Sequence, residues 1–277
     1  MRISVLPLIA LLLVTLLPSP AAAGAAIATN DTEAVVLKDF EALSAGDAEG
    51  LAALFAPRIE MYRLPTEAHT LVGPRSDRMR TREELRAYFE EAFVAKPPVR
   101  HEVLEMVSLD DLAVVRVAIH APDGTPAEHA FTAFRVRDGL IESIWHIARE
   151  PAAAPQSGAA ARATIRQLGE ANNRGDADAV VALYHPDAKH SHARRDPARL
   201  GGAPPARVID QASRRRFYRE LYAEGTPTQV GLVDSAALGE WVATRERYTA
   251  PDGPPRDHLT IYRVHDGLII DEWHLAP

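Results

Sequence analysis

The chain has 277 residues, 47% of them hydrophobic and 25% charged, which is ordinary composition for a folded protein. Its formal net charge is -7, with 31 Lys and Arg against 38 Asp and Glu, so no basic field invites nucleic acid. Cysteine is absent, which excludes thiol catalysis, Cys-ligated zinc and disulfide staples.

The N-terminus reads as a targeting segment. Arg2 precedes an apolar run from Ile3 to Leu17, and Ala21-Ala22-Ala23 supply a small-residue cleavage context. Residues 1–23 are therefore expected to be a signal peptide that sends the protein to a periplasm or the exterior, with a retained anchor as the alternative. The run is short for a membrane span and no later one is longer, so no membrane contact is expected after cleavage.

From Asp31 the pattern is helical, with Val35, Val36, Phe40 and Leu43 at three- and four-residue spacing. Gly46 suits the end of that helix, and Asp47 caps a second, Ala48 to Phe55, that Pro57 stops. A strand from Arg58 to Leu64 and an irregular loop through His69 and Gly73 follow. Thr81 and Glu84 form a capping-box pattern that opens a third helix, with Leu85, Tyr88, Phe89 and Phe93 on one face. Strands are expected at Val99 to Leu109, Leu112 to His120, Ala127 to Arg137 and Leu140 to Arg149, the last two joined by an Asp138-Gly139 hairpin turn.

Residues 150–160 are rich in Pro, Ala, Ser and Gly and read as a linker. After it the series returns. Gly46-Asp47-Ala48 reappears as Gly175-Asp176-Ala177, Ala53-Leu54-Phe55 as Ala182-Leu183-Tyr184, and Phe134-Arg135-Val136 as Tyr262-Arg263-Val264. The closing stretch Asp138 to Ile147, which ends Trp145-His146-Ile147, returns as Asp266 to Leu275, which ends Trp273-His274-Leu275. Gly139 and Gly267 lie 128 positions apart (267 − 139). One domain is thus duplicated in tandem, at 31–149 and 161–277.

Each half resembles the SnoaL-like branch of the nuclear transport factor two-like superfamily. The resemblance rests on the helix-Gly-Asp-helix opening and the closing Asp-Gly-x-Ile-x-x-x-Trp strand. It implies an α+β cone in each half, a curved antiparallel sheet wrapped by three helices. It also implies a pocket for a small apolar molecule and, where the relative is an enzyme, cofactor-free isomerase, cyclase or hydrolase chemistry. Many members of the family pair sheet to sheet, which implies an internal pseudo-dimer of the two halves. Relatives often carry an acid/base Asp after the closing Trp; here His146 and His274 stand in that place.

Strand alternation puts Ile270, Glu272 and His274 on one face and Ile269, Asp271, Trp273 and Leu275 on the other. The resemblance turns the first face toward the pocket. A two-residue turn at Asp266-Gly267 predicts that Ile261 pairs with Glu272 and Leu259 with His274, leaving Asp257 to orient His274. The same count in the first half sets His146 opposite Phe131, with His129 further along. His190-Ser191-His192 is a His-x-His spacing that sets both rings on one strand face; Met61, Tyr62 and Arg63 occupy its place in the first half. A metal there would need Glu272 or His274 as third ligand, and no metal is expected. The favoured scheme makes His274 the base, Asp257 or Glu272 its orienting group and His192 the group that polarises a substrate. His190, His146, His129 and Tyr62 then line the ligand site. The alternative is a non-catalytic binding or scaffold protein of the cell envelope. Arg214-Arg215-Arg216 read as a solvated helix face. No phosphate loop, Gly-x-Ser-x-Gly elbow or zincin motif is present.

Overall fold

The computed structural model describes residues 27–63, 79–152, 158–192, 207–208, 210–223, 225, 227–251 and 253–275. The expected signal peptide and the loop through His69 and Gly73 lie outside them. The first half runs α1 (Asp31–Ala45), α2 (Ala48–Ala53), β1 (Phe55–Arg63), β2 (Met79–Thr81), α3 (Arg82–Ala95), β3 (His101–Leu109), β4 (Leu112–His120), β5 (Pro126–Arg137) and β6 (Leu140–Pro151). The second half repeats it as α4 (Ala159–Asn173), α5 (Ala177–Ala182), β7 (Tyr184–His192), β8 (Arg207–Val208), α6 (Gln211–Ala223), β9 (Gln229–Leu238), β10 (Trp241–Thr249), β11 (Arg256–His265) and β12 (Leu268–His274).

Local chemistry sets the helix ends. Asn30 accepts from the Glu33 N–H, Asp47 from Gly50 and Asp176 from Ala179, while Thr81 and Glu84 close a reciprocal capping box. Asp138-Gly139 and Asp266-Gly267 hold positive φ at both residues (52° and 76°, 48° and 77°), the two-residue turn whose twist matches its flanking strands.

Each sheet has six strands, in the orders β2-β1-β6-β5-β4-β3 and β8-β7-β12-β11-β10-β9. The sheets are mixed rather than wholly antiparallel, because β1 runs parallel to β6 and β7 parallel to β12. Pro57 does not stop a helix but lies inside β1. There the register jumps from Phe55↔Ile141 to Glu60↔Ser143, and a residue without an N–H is tolerated in the skipped stretch.

Both faces of each sheet are covered. In the first half Val36, Phe40 and Leu51 from the helices pack on Val115, Phe134 and Ile144; in the second, Ile165, Leu168 and Val180 pack on Val242, Tyr262 and Ile269. The opposite faces meet each other in one buried cluster that includes Phe131, Trp145 and Ile147 from the first half and Trp241, Ile261 and Trp273 from the second. The Trp241 and Trp273 rings stack with centroids 5.7 Å apart. Burial on both faces is why β4 reads as the nearly unbroken apolar run Leu-Ala-Val-Val. At the rim Glu105 of the first half accepts the Ala237 N–H at 2.9 Å and pairs with Arg162 of the second.

Candidate functional site

The site in the second half is set by a β-bulge in its closing strand. Pairing begins at His265↔Leu268 and Val264↔Ile269, then passes over Ile270 to Arg263↔Asp271, Tyr262↔Glu272, Ile261↔Trp273 and Thr260↔His274. One extra residue moves every later pairing by one, and a slip of one exchanges faces. His274 therefore lies beside Thr260 rather than Leu259, and Ile269 joins the helix-facing core with Tyr184 and Tyr262. The first half has the same irregularity, so His146 sits opposite Thr132, not Phe131.

The corrected register moves two expected site residues to the other face. Asp257 shares the face of Leu259 and Ile261, where Arg247 Nε at 2.7 Å and Arg245 Nε at 2.8 Å donate to it. Hydrogen bonding from Arg247 holds its carboxyl down at about 2, against a small opposing effect of burial, and it does not reach His274. His129 likewise follows Phe131 onto the face between the halves, where burial first, then Arg116 and His120, lower its pKa. His192 and Tyr62 are placed by backbone pairing alone, next to His274 and Trp145 respectively. Arg214 is not solvated. It is buried, with its guanidinium 4.2 Å from the Tyr184 ring centre.

Around His274 the structure assembles a compact group from β7, β11 and β12. Glu272 is buried, and its Oε1 lies 2.9 Å from His274 Nε2 while its Oε2 lies 3.1 Å from His190 Nδ1. Tyr184 OH donates to Oε2 at 2.9 Å, and Thr260 Oγ1 lies 3.2 Å from His274 Nδ1. The two imidazole rings are 4.8 Å apart. Burial would raise the Glu272 pKa, but the two imidazoles outweigh it and hold the carboxyl well below its usual range. Burial likewise works against the His274 cation, and Glu272 outweighs it, so that pKa is raised.

A second carboxyl, unseen in the sequence reading, faces the helices from β10. Glu246 is buried; its Oε1 accepts from Thr244 Oγ1 at 2.8 Å and Tyr262 OH at 2.9 Å, and its Oε2 from Tyr248 OH at 2.8 Å. Burial raises its pKa, the three hydroxyl bonds recover part of that, and the charge on Glu272 adds to the rise. The Tyr248 ring packs 4.6 Å from that of His258, the strand neighbour of Glu246. Between α4 and strands β9 to β11 a cavity of about 120 Å³ is walled by Ile165, Leu168, Gly169 and Val230 and reaches Glu246, Tyr248 and Tyr262.

The first half has the same register and keeps His146 beside Thr132, but most of the other polar groups are gone. Phe134↔Ile144↔Met61 stands where the second half has Tyr262↔Glu272↔His190. Val117 and Ala130 replace Glu246 and His258, and Phe55 and Val115 replace Tyr184 and Thr244. Phe55, Val115, Val117, Phe134 and Ile144 pack into the helix-facing core, with Met61 against it. Phe40, 129 positions before Gly169 (169 − 40), packs edge-on against Phe134 at 5.7 Å, so it fills what Gly169 leaves open. The signal was in the sequence all along: tyrosine, threonine and glutamate at strand positions that are apolar in the other copy.

The SnoaL-like domain pattern matches residues 36–144 and again 165–272. No functionally curated protein matches the chain. Among solved structures, IdmH of Streptomyces antibioticus, which carries a provisional assignment as a polyketide cyclase, is 21% identical. That match covers 44% of this chain and 93% of IdmH, with a TM-score of 0.33. A protein of Kribbella flavida provisionally assigned as a ketosteroid isomerase is 19% identical over 45% of this chain and 82% of its own, with a TM-score of 0.35. An uncharacterised cystatin-fold protein of Novosphingobium aromaticivorans is 18% identical over 42% and 97%, with a TM-score of 0.34. With both halves matched, the chain belongs to the SnoaL-like domain family as two tandem copies.

Proposed function

We propose that the second half is a small-molecule site that works by acid/base chemistry, and that the first half is its built-in structural partner in an exported protein. The observation that carries this is Glu246: a buried carboxyl, held by three hydroxyls, at the end of a cavity. A carboxyl kept protonated above its usual range donates a proton or hydrogen bond to a carbonyl oxygen and accepts a proton in turn. The cavity is close in size to engineered apolar cavities of roughly 150 Å³ that take up benzene. Arg166, Glu170, Asn172 and Asn173 also border it, so it fits a molecule of about one ring with both apolar and polar edges, one oxygen directed at Glu246 and the tyrosines. The core shared between the sheets supports the reading of the first half as a substitute for a second subunit. Export is supported by Ile3 to Leu17 and the alanines after it, and fractionation of cells followed by N-terminal sequencing checks it.

The test is proton exchange beside a carbonyl. Small cyclic ketones incubated with the protein in D₂O are expected to exchange their α-protons, followed by NMR. Glu246→Gln should slow that exchange by about a hundredfold or more. Gly169→Phe should abolish both binding and exchange, because it restores the phenyl ring that fills the first half. Ketones that neither bind nor exchange with the wild-type protein would sink the proposal. Binding without exchange would leave the binding protein of the alternative reading.

A further inference from the structure

We infer that His190, Glu272 and His274 form a binding site for a divalent transition-metal ion of the zinc class. The site stands on β7 and β12 and needs no part of the acid/base reading of Glu246. Three observations lead there. The first is the donor set, two imidazole nitrogens and one carboxylate, which is the set that open three-ligand zinc centres use. The second is spacing. The ligand atoms all lie within 4.8 Å of one another, with the carboxylate oxygens 2.9 and 3.1 Å from the two nitrogens. Donors about 2.1 Å from a tetrahedral ion stand roughly 3.3 Å apart. Both nitrogen–oxygen separations are thus near the requirement, and modest rotation of the two half-buried rings closes the remaining gap.

The third observation is the support behind the donors. Tyr184 OH donates to Glu272 Oε2, and Thr260 Oγ1 meets His274 Nδ1, the nitrogen turned away from Glu272. A metal-ligating histidine is held in this way by a partner on its other ring nitrogen. Neighbouring strands carry all three ligands, so their backbone spacing is set before any ion arrives. Both histidines keep part of their surface exposed, which gives an ion a route in and leaves a coordination position for water or substrate. The first half offers a built-in contrast. It keeps only His146, with Met61 and Ile144 where the other two ligands stand, so one site per chain is expected rather than two.

The test is equilibrium dialysis of the mature chain against Zn²⁺, with elemental analysis, and Co²⁺ titration followed by visible absorption. The expected result is one Zn²⁺ per chain, and for Co²⁺ the intense d–d bands of a four-coordinate ion. His190→Ala should lower the affinity by about a hundredfold or more, and Thr260→Val, which releases only the second ring nitrogen, by roughly tenfold to a hundredfold. His190 is half-buried on its strand, so its variant is expected to fold, and a thermal melt without metal checks this. His185→Ala, at an exposed site, should change nothing. Absence of stoichiometric uptake by the wild-type protein would overturn the inference, as would uptake unchanged by His190→Ala.

Discussion

Trp273→Ala should cost the protein about 3–5 kcal/mol, the range for emptying a buried aromatic site. Trp273 is fully buried and stacks on Trp241 in the cluster to which both sheets contribute. The loss therefore falls on the core that the two halves share as well as on the Trp241 stack within the second half. Calorimetry should show a single transition dividing into two, as each half keeps its helix-facing core while the shared core loosens. Trp273→Phe separates packing from chemistry. Phenylalanine keeps most of the ring and removes an indole N–H that has no hydrogen-bond partner. A buried orphan donor costs about 1–3 kcal/mol, so this variant should lose far less than the alanine one. A loss below about 1 kcal/mol for Trp273→Ala, with one undivided transition, would mean the shared face contributes little and that the halves are not structural partners.

The second large effect concerns Asp39, in the apolar cone of the first half. It is buried on α1, at the place that Leu168 takes in the second half, and its Oδ1 has no hydrogen-bond partner. Burial pushes its pKa up to about 7 from an ordinary 3.8. The sign follows from linkage. Well below the unfolded value of 3.8, the carboxyl is protonated in both states and contributes no penalty. As pH rises toward 7 the unfolded chain releases a proton that the folded chain keeps, so stability falls across that window and then levels off. The full difference is on the order of 4 kcal/mol. Asp39→Asn removes the titration at constant shape. Its stability relative to wild type should be small at pH 4.5 and several kcal/mol greater at pH 8, measured by urea unfolding at both. A difference between the two proteins that does not change with pH would show that Asp39 reaches water.

The duplication, the order of elements and the Thr81 capping box all rest on local or self-repeating information, and the chain carries that information within a few residues. The hairpin at Asp266-Gly267 is equally local, and the sequence specifies it down to its first pair, His265↔Leu268. The register beyond it is not local. A bulge at Ile270 has no local signature, because an alternating strand reads alike with or without an extra residue until its partner is present. That one residue sent Asp257 to the face between the halves and put Thr260 beside His274, and the first half's own irregularity did the same to His129. Glu272 was named as a candidate, but its place between His190 and His274 depends on the parallel pairing of β7 with β12, two segments far apart in the chain.

By itself, then, the sequence determined the family, the tandem architecture, the helix caps and the turns, since each depends on short-range propensity or on comparing the chain with itself. Tertiary structure alone decided which strand faces became core and which became site. Face identity is a matter of register, and register is set by contacts between distant segments and by the packing of both sheet faces. It decided, too, that the first cone is filled by Phe40, Phe134 and Ile144, while the second, with Gly169, Tyr262 and Glu272 in their places, stays partly open.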